Sequence, residues 1–241
     1  MGKLKHHVFG MGEIDITQVR KYLQDQKTKN ENLSLSAYMV YCLAVAIGEN
    51  PAIQAIKKGK KLYLFEDVDI TMVVELDGPH GKAPVNFIIR QAQKKSFREI
   101  NTEIRNAQSA EYTGAVLGEN KEAKQASAFA KMPGFIRRLV WWKVHNDPYF
   151  LKKMLGTACV SAVGMFGPHS GGWALGTTVF PIALIIGGIA RRPGVVEDRI
   201  EIREFVAVTL CVDHDVVDGG PAARFAARLI DLLEMGYGLN P

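Results

Sequence analysis

The stretch Ile202–Glu234, IREFVAVTLCVDHDVVDGGPAARFAARLIDLLE, constrains the chain most, because its periodicity changes from strand to helix around one histidine. Glu204–Val212 is mostly apolar and valine-rich, the composition of a strand covered on both faces. From Pro221 onward Ala222, Phe225, Ala226, Leu229, Ile230 and Leu233 recur at helical spacing, with Arg224, Arg228 and Asp231 between them. Gly219 and Gly220 supply the turn, and Pro221 suits a first helical position, where a missing N–H costs nothing. His214 is therefore expected just past the end of a buried strand.

His214 and Asp218 stand four apart across Val216 and Val217, so two ionisable groups share an apolar background in which proton affinities shift easily. A neutral imidazole there would serve as a general base. Structural roles explain the same residues, with His214 a satisfied core histidine and Asp218 a turn residue that caps the helix. Cys211 as a nucleophile beside His214 is disfavoured, since a separation of three along a strand points the two side chains to opposite faces.

At 241 residues, 47% hydrophobic and 23% charged, the chain can bury one large core. Its three cysteines, Cys42, Cys159 and Cys211, lie in apolar segments and suit reduced thiols rather than a disulfide framework. The N-terminus lacks the apolar run of a signal peptide. The longest apolar run, Ala174–Ala190, is broken by glycines and a proline and falls short of the ~20 residues that span a bilayer. A cytoplasmic protein is the expectation. No metal site is expected, because His6 and His7 have no third ligand at a familiar spacing.

In chain order, a strand is predicted at His7–Ile16 and a helix at Thr17–Thr28. A buried helix follows at Leu35–Ile47, capped by Ser34 or Ser36, and ends by Pro51. Lys57–Lys61 reads as a basic turn and Lys61–Leu76 as one extended strand region, followed by a turn at Asp77–Gly81 and a strand at Pro84–Arg90. Ser96 and Glu99 form a capping box that starts a helix to about Ala110.

DHDVVDG at Asp213–Gly219 resembles the His-x-x-x-Asp-Gly signature of the chloramphenicol acetyltransferase-like superfamily, and within it the catalytic domain of dihydrolipoamide acyltransferases, the cores of 2-oxo-acid dehydrogenase complexes. GTACVSAVGMFG at Gly156–Gly167 resembles the strand and glycine turn that precede the motif, and GGIARRPGVVEDRIEIREFVAVTL at Gly187–Leu210 the hairpin that leads into it. FEDVDIT at Phe65–Thr71 and VNFIIRQAQKKSFREI at Val85–Ile100 fit the same domain. The resemblance implies an α+β fold with a central mixed sheet flanked by helices, a single catalytic domain over residues 1–241, and a homotrimer or higher homo-oligomer. It also implies direct acyl transfer with coenzyme A or acyl-CoA as co-substrate and no metal. His214 would be the general base, Asp218 would orient its loop, and Ser161 would hydrogen-bond the oxyanion, ahead of Thr157. In that family the histidine and serine face each other across a subunit boundary.

Three features depart from the pattern. Asp215 stands where many of these enzymes have arginine, a charge reversal next to the base. Gly171–Pro181 replaces their Asn-Pro-Pro turn. A basic aromatic insert occupies about residues 111–155, and Phe129–Leu155 alone carries +5, equal to the net charge of the whole chain. This segment reads either as two helices packing their aromatics on the core, or as a surface for an anionic partner such as the phosphates of acyl-CoA or a membrane. No nucleic-acid motif accompanies it. The 241 residues show no lipoyl domain or swinging linker, so no covalent lipoyl group is expected. A free-standing acyltransferase using CoA is the first reading, a core acting on a lipoyl protein in trans the second, and a non-catalytic trimeric scaffold or membrane-associated module the third.

Overall fold

The computed structural model describes residues 5–78, 81–109, 133–164 and 171–239, with only the backbone of 75–78 and 81–84. Expectations that fall on Gly167, Pro168 and the first part of the insert lie outside these residues.

A six-stranded mixed sheet in the order β1-β8-β7-β6-β4-β5 forms the frame. Its strands are β1 (His7–Asp15), β4 (Ile70–Gly78), β5 (Gly81–Ile89), β6 (Ala158–Ala162), β7 (Ile182–Val196) and β8 (Arg199–Asp213). β6 runs parallel to both of its neighbours, and the other three pairings are antiparallel. The even-numbered residues of the central strands, including Val160, Leu184, Val208 and Leu210, face the core. Four helices cover that face: α1 (Thr17–Thr28), α2 (Leu35–Glu49), α3 (Phe97–Ser109) and, further along the chain, α6 (Gly219–Glu234). This is the α+β architecture that the sequence implies.

Local signals explain the helix starts. The Ser34 hydroxyl accepts from the Ala37 N–H at 3.2 Å, which fixes the first turn of α2. At α3 the capping box closes both ways: Glu99 N–H donates to Ser96 Oγ at 3.3 Å, and Ser96 N–H donates to the Glu99 carboxylate at 2.7 Å. α2 is apolar nearly all round, and its residues from Ala37 to Val40 are all buried.

The single strand expected over Lys61–Leu76 is instead two elements. β3 (Lys61–Tyr63) pairs only with β2 (Ile56–Lys58) in a separate hairpin, so Lys57–Lys61 is a hairpin tip. Between β3 and β4 the backbone turns away and side chains take over its hydrogen bonds. Gln54 donates to the Phe65 carbonyl at 2.9 Å, and Gln93 accepts from Val68 N–H at 2.9 Å. Pattern alone does not show such a break, because these side-chain bonds satisfy the backbone as well as a strand partner would.

The described part of the insert forms α4 (Gly134–Asn146) and α5 (Pro148–Leu155). They do not join the main core. Val144 and Leu151 pack with Ile56 and Phe65 in a small second cluster, joined by Trp141 and Phe150. Arg90 ties α5 down by donating to the carbonyls of Lys152 and Lys153, at 3.0 and 2.6 Å, while its guanidinium pairs with the buried Asp69 at 3.1 Å. Tyr149 stays partly exposed but meets the Tyr63 and Phe65 rings edge-on, whereas Phe135 and Trp142 remain exposed, so the expected packing of the aromatics holds for only part of the set.

β6 and β7 meet through glycine. A Cβ on Gly164 would collide with the Gly187 carbonyl, and one on Gly187 would collide with the Gly172 carbonyl. These contacts coincide with a register shift between Ile186 and Ile189, the local irregularity at which a strand changes its twist. Gly164→Ala should therefore cost about 3 kcal/mol, because backbone cannot yield as a side chain would. Denaturant unfolding of the two proteins measures this.

Candidate active site

β8 carries the candidate base to the sheet edge. Val206 through Asp213 are buried without interruption, and the chain then turns so that His214 is exposed. Its backbone N–H donates to the His6 carbonyl at 2.7 Å, continuing the β1–β8 ladder one step past the strand. Among the described residues neither the His214 imidazole nor the Asp218 carboxylate has a hydrogen-bond partner, so both are free to meet a substrate or a second chain. Asp218 occupies the N-cap position of α6 by backbone geometry, and its side chain makes no capping bond.

The turn is held by residues that the sequence reading passed over. Asp213 is buried, and Lys5 Nζ meets its carboxylate at 2.6 Å. The other Asp213 oxygen accepts from the Asp215 N–H at 3.2 Å. Asp215, the departure next to the base, pairs with His6 Nδ1 at 3.0 Å. His7 Nε2 meets the Phe180 carbonyl at 3.1 Å. No local pattern reveals these contacts, because they depend on the antiparallel register that sets His7 opposite Asp213. Among the described residues there is no group of three or more metal-ligating side chains.

Ser161 lies in β6 on the face away from the helices. Register places it in one row with Ile185 and Thr209, and the Thr209 hydroxyl is buried with no partner among the described residues. Thr157 is a different case, since its hydroxyl donates to Gln54 Oε1 at 2.5 Å inside the core. It is committed to structure, which leaves Ser161 as the accessible hydroxyl of this strand. Two strands and five residues of register separate Ser161 from His214, a distance on the order of 20 Å. One copy of the chain does not bring them together.

Cys211 is buried in β8, and burial together with the charge of Asp213 pushes its thiol up to about 11. It is a poor nucleophile there.

Beside the His214 turn opens a pocket of about 310 Å³. Lys5, Asp213 and Asp215 form one wall, Lys57 and Lys58 of the β2–β3 hairpin another, and His145 and Leu151 of the insert a third. Lys58 Nζ donates to the His145 carbonyl at 2.8 Å, which joins hairpin to insert. Partial burial and the nearby Lys58 charge hold the His145 imidazole below its usual value.

These features define first a fold. Chloramphenicol acetyltransferase superposes with a TM-score of 0.55 at 16% identity, over 94% of this chain and 88% of that one. The cubic core of the pyruvate dehydrogenase multienzyme complex superposes with a TM-score of 0.69 at 19% identity, over 99% and 86%. The dihydrolipoamide acetyltransferase of Azotobacter vinelandii, studied for the role of a serine, a histidine and an asparagine in its catalytic mechanism, gives 0.68 at 19% identity, over 99% and 86%. The family follows from sequence. The model for the 2-oxoacid dehydrogenases acyltransferase (catalytic domain) matches residues 5–119 and 153–239, and the chain belongs to that family. It is 27% identical over 237 residues to the lipoamide acyltransferase component of the branched-chain alpha-keto acid dehydrogenase complex of Bacillus subtilis, covering 95% of this chain and 46% of that protein. The chain thus spans about half the length of that relative.

The His6–Asp215 pair makes a pH-dependent clamp on the turn. Hydrogen bonding to Asp215 and its charge raise the His6 imidazole above 6.5, and the same bond lowers the Asp215 carboxyl below 3.8. The charged pair is therefore fully formed between these two perturbed values. It is lost as pH rises through the raised imidazole value, and again as pH falls through the lowered carboxyl value. In Asp215→Asn the His6 titration, followed by NMR, should move back toward 6.5.

Proposed function

We propose that the chain is the catalytic part of an acyltransferase that moves an acyl group between a CoA thioester and an acceptor thiol or hydroxyl. The observation that carries this reading is His214 itself, an exposed imidazole at the end of a buried strand with no hydrogen-bond partner among the described residues, its backbone N–H held by the His6 carbonyl. In this mechanism His214 takes the proton from the acceptor as sulfur or oxygen attacks the thioester carbonyl. Ser161 donates a hydrogen bond to the oxyanion. The carbon–sulfur bond to CoA then breaks, and the proton passes from His214 to the departing thiolate. Asp218 orients the loop between the base and α6.

Because one copy keeps Ser161 and His214 apart, the reaction in this form needs a second copy to complete each site, which supports a homotrimer or higher homo-oligomer. In the Azotobacter enzyme the histidine and asparagine are four residues apart, as His214 and Asp218 are here, and the serine precedes the histidine by a nearly equal separation. The pocket beside the turn, with Lys57 exposed at its mouth, suits the anionic part of acyl-CoA. The relatives are components of dehydrogenase complexes, which favours a second acceptor equally, the thiol of a dihydrolipoyl group carried in trans by another polypeptide. A cytoplasmic location fits either acceptor, and no helix of the described residues is long and apolar enough to cross a membrane.

Calorimetric binding of CoA and short acyl-CoAs, followed by transfer assays with dihydrolipoamide and simple thiols, tests the reading. His214→Ala should lower turnover by ~10²–10⁴-fold with the oligomer intact. Ser161→Ala should lower kcat by roughly 10²–10³-fold with CoA affinity largely kept, as expected of a donor that acts mainly in the transition state. Mixed oligomers of the two variants should recover part of the activity, because some sites then pair an intact His214 with an intact Ser161. Unchanged turnover in His214→Ala would refute the mechanism, and loss of CoA affinity alone in Ser161→Ala would move that residue to the binding site.

A further inference from the structure

We infer that the outward face of α4 docks on an anionic phospholipid surface, holding the enzyme at a membrane without crossing it. α4 has two apolar sides. The inner one, with Val140, Trp141 and Val144, packs on the small cluster around Phe65 and Leu151. The outer one consists of Phe135, Leu139 and Trp142, at positions i, i+4 and i+7, and these are 68%, 61% and 64% exposed. Arg138 borders this stripe on one side and Lys143 on the other, both exposed. α4 contains no acidic residue.

The stripe is not explained by the acyltransferase machinery. The family model leaves residues 120–152 unmatched, and all of α4 lies in that interval. The docking contacts of α4 and α5, through Arg90, Lys58 and the Phe65 cluster, use the inner side and leave the outer side unengaged among the described residues. Three large apolar side chains in a row, bordered by Arg138 and Lys143 with no acidic neighbour on the helix, match the boundary between phosphate headgroups and acyl chains: rings and leucine enter the apolar layer, and guanidinium and ammonium groups reach the phosphates. A protein partner would call for shaped polar complements, and this face offers none. At 13 residues, about 20 Å of helix, α4 is too short to span a bilayer and must lie along its surface.

The test is co-sedimentation of the full chain with vesicles of phosphatidylcholine alone and of phosphatidylcholine containing one quarter phosphatidylglycerol. Binding should require the anionic lipid and weaken as salt screens the charges. Phe135→Ser/Leu139→Ser/Trp142→Ser should lose at least about tenfold in partitioning, and Arg138→Glu roughly several-fold, with melting temperature and oligomeric state unchanged. As a check that does not depend on the fold of a triple variant, vesicles should shift the tryptophan emission of the native chain to the blue, and Trp142→Phe should remove most of that shift. The proposal fails if the native chain stays in the supernatant with both lipids, or if the serine variant sediments like the native chain. It also fails if the stripe variants change only the oligomeric state, which would make α4 a contact between copies.

Discussion

The burial of one carboxylate governs the arrangement around β8. Val206 to Asp213 pass through the interior without a break, so the strand ends on a charge that water cannot solvate. Unpaired, it would cost several kcal/mol; Lys5, together with the Asp215 N–H, offsets that cost. The consequence extends beyond one ion pair. Lys5 reaches Asp213 only if β1 lies antiparallel to β8 in the observed register, and that register also delivers the His6 carbonyl to His214 and the His6 ring to Asp215.

On this frame the chemistry is divided. β6 holds a hydroxyl on the face turned away from the helices, and β8 exports an imidazole at its end, with β7 between them. Glycines let β6, β7 and the strap at Gly171 and Gly172 approach backbone to backbone, which fixes where Ser161 stands in the sheet. The β2–β3 hairpin and the insert close a pocket beside the imidazole. The insert therefore does two things at once, lining the pocket with His145 and Leu151 and presenting a separate apolar stripe to the outside.

Much of this was legible in the sequence where the signal was local. The helix at Thr17–Thr28, the Ser34 cap, the Ser96–Glu99 box and the strand-to-helix switch around His214 all rest on neighbours a few residues apart, and all are present. The DHDVVDG motif identified the family that the full comparison gives. What was not legible depends on distant pairing. The break at Leu64–Asp69 is stabilised by Gln54 and Gln93, which no periodicity reports. The role of the N-terminal residues is invisible until His7 is set opposite Asp213, and the separation of Ser161 from His214 appears only when the strand order is known. The aromatic insert was ambiguous for a different reason: a helix with apolar residues on two sides has no single face for a pattern to declare.

The partnership of Lys5 and His6 with the His214 turn also sets the geometry of attachment. Any group joined to the chain shortly ahead of Lys5 begins next to the candidate base, and a tether of modest length would hold it there at millimolar effective concentration. A thiol carrier joined there would arrive as an intramolecular substrate beside the pocket that Lys5 lines.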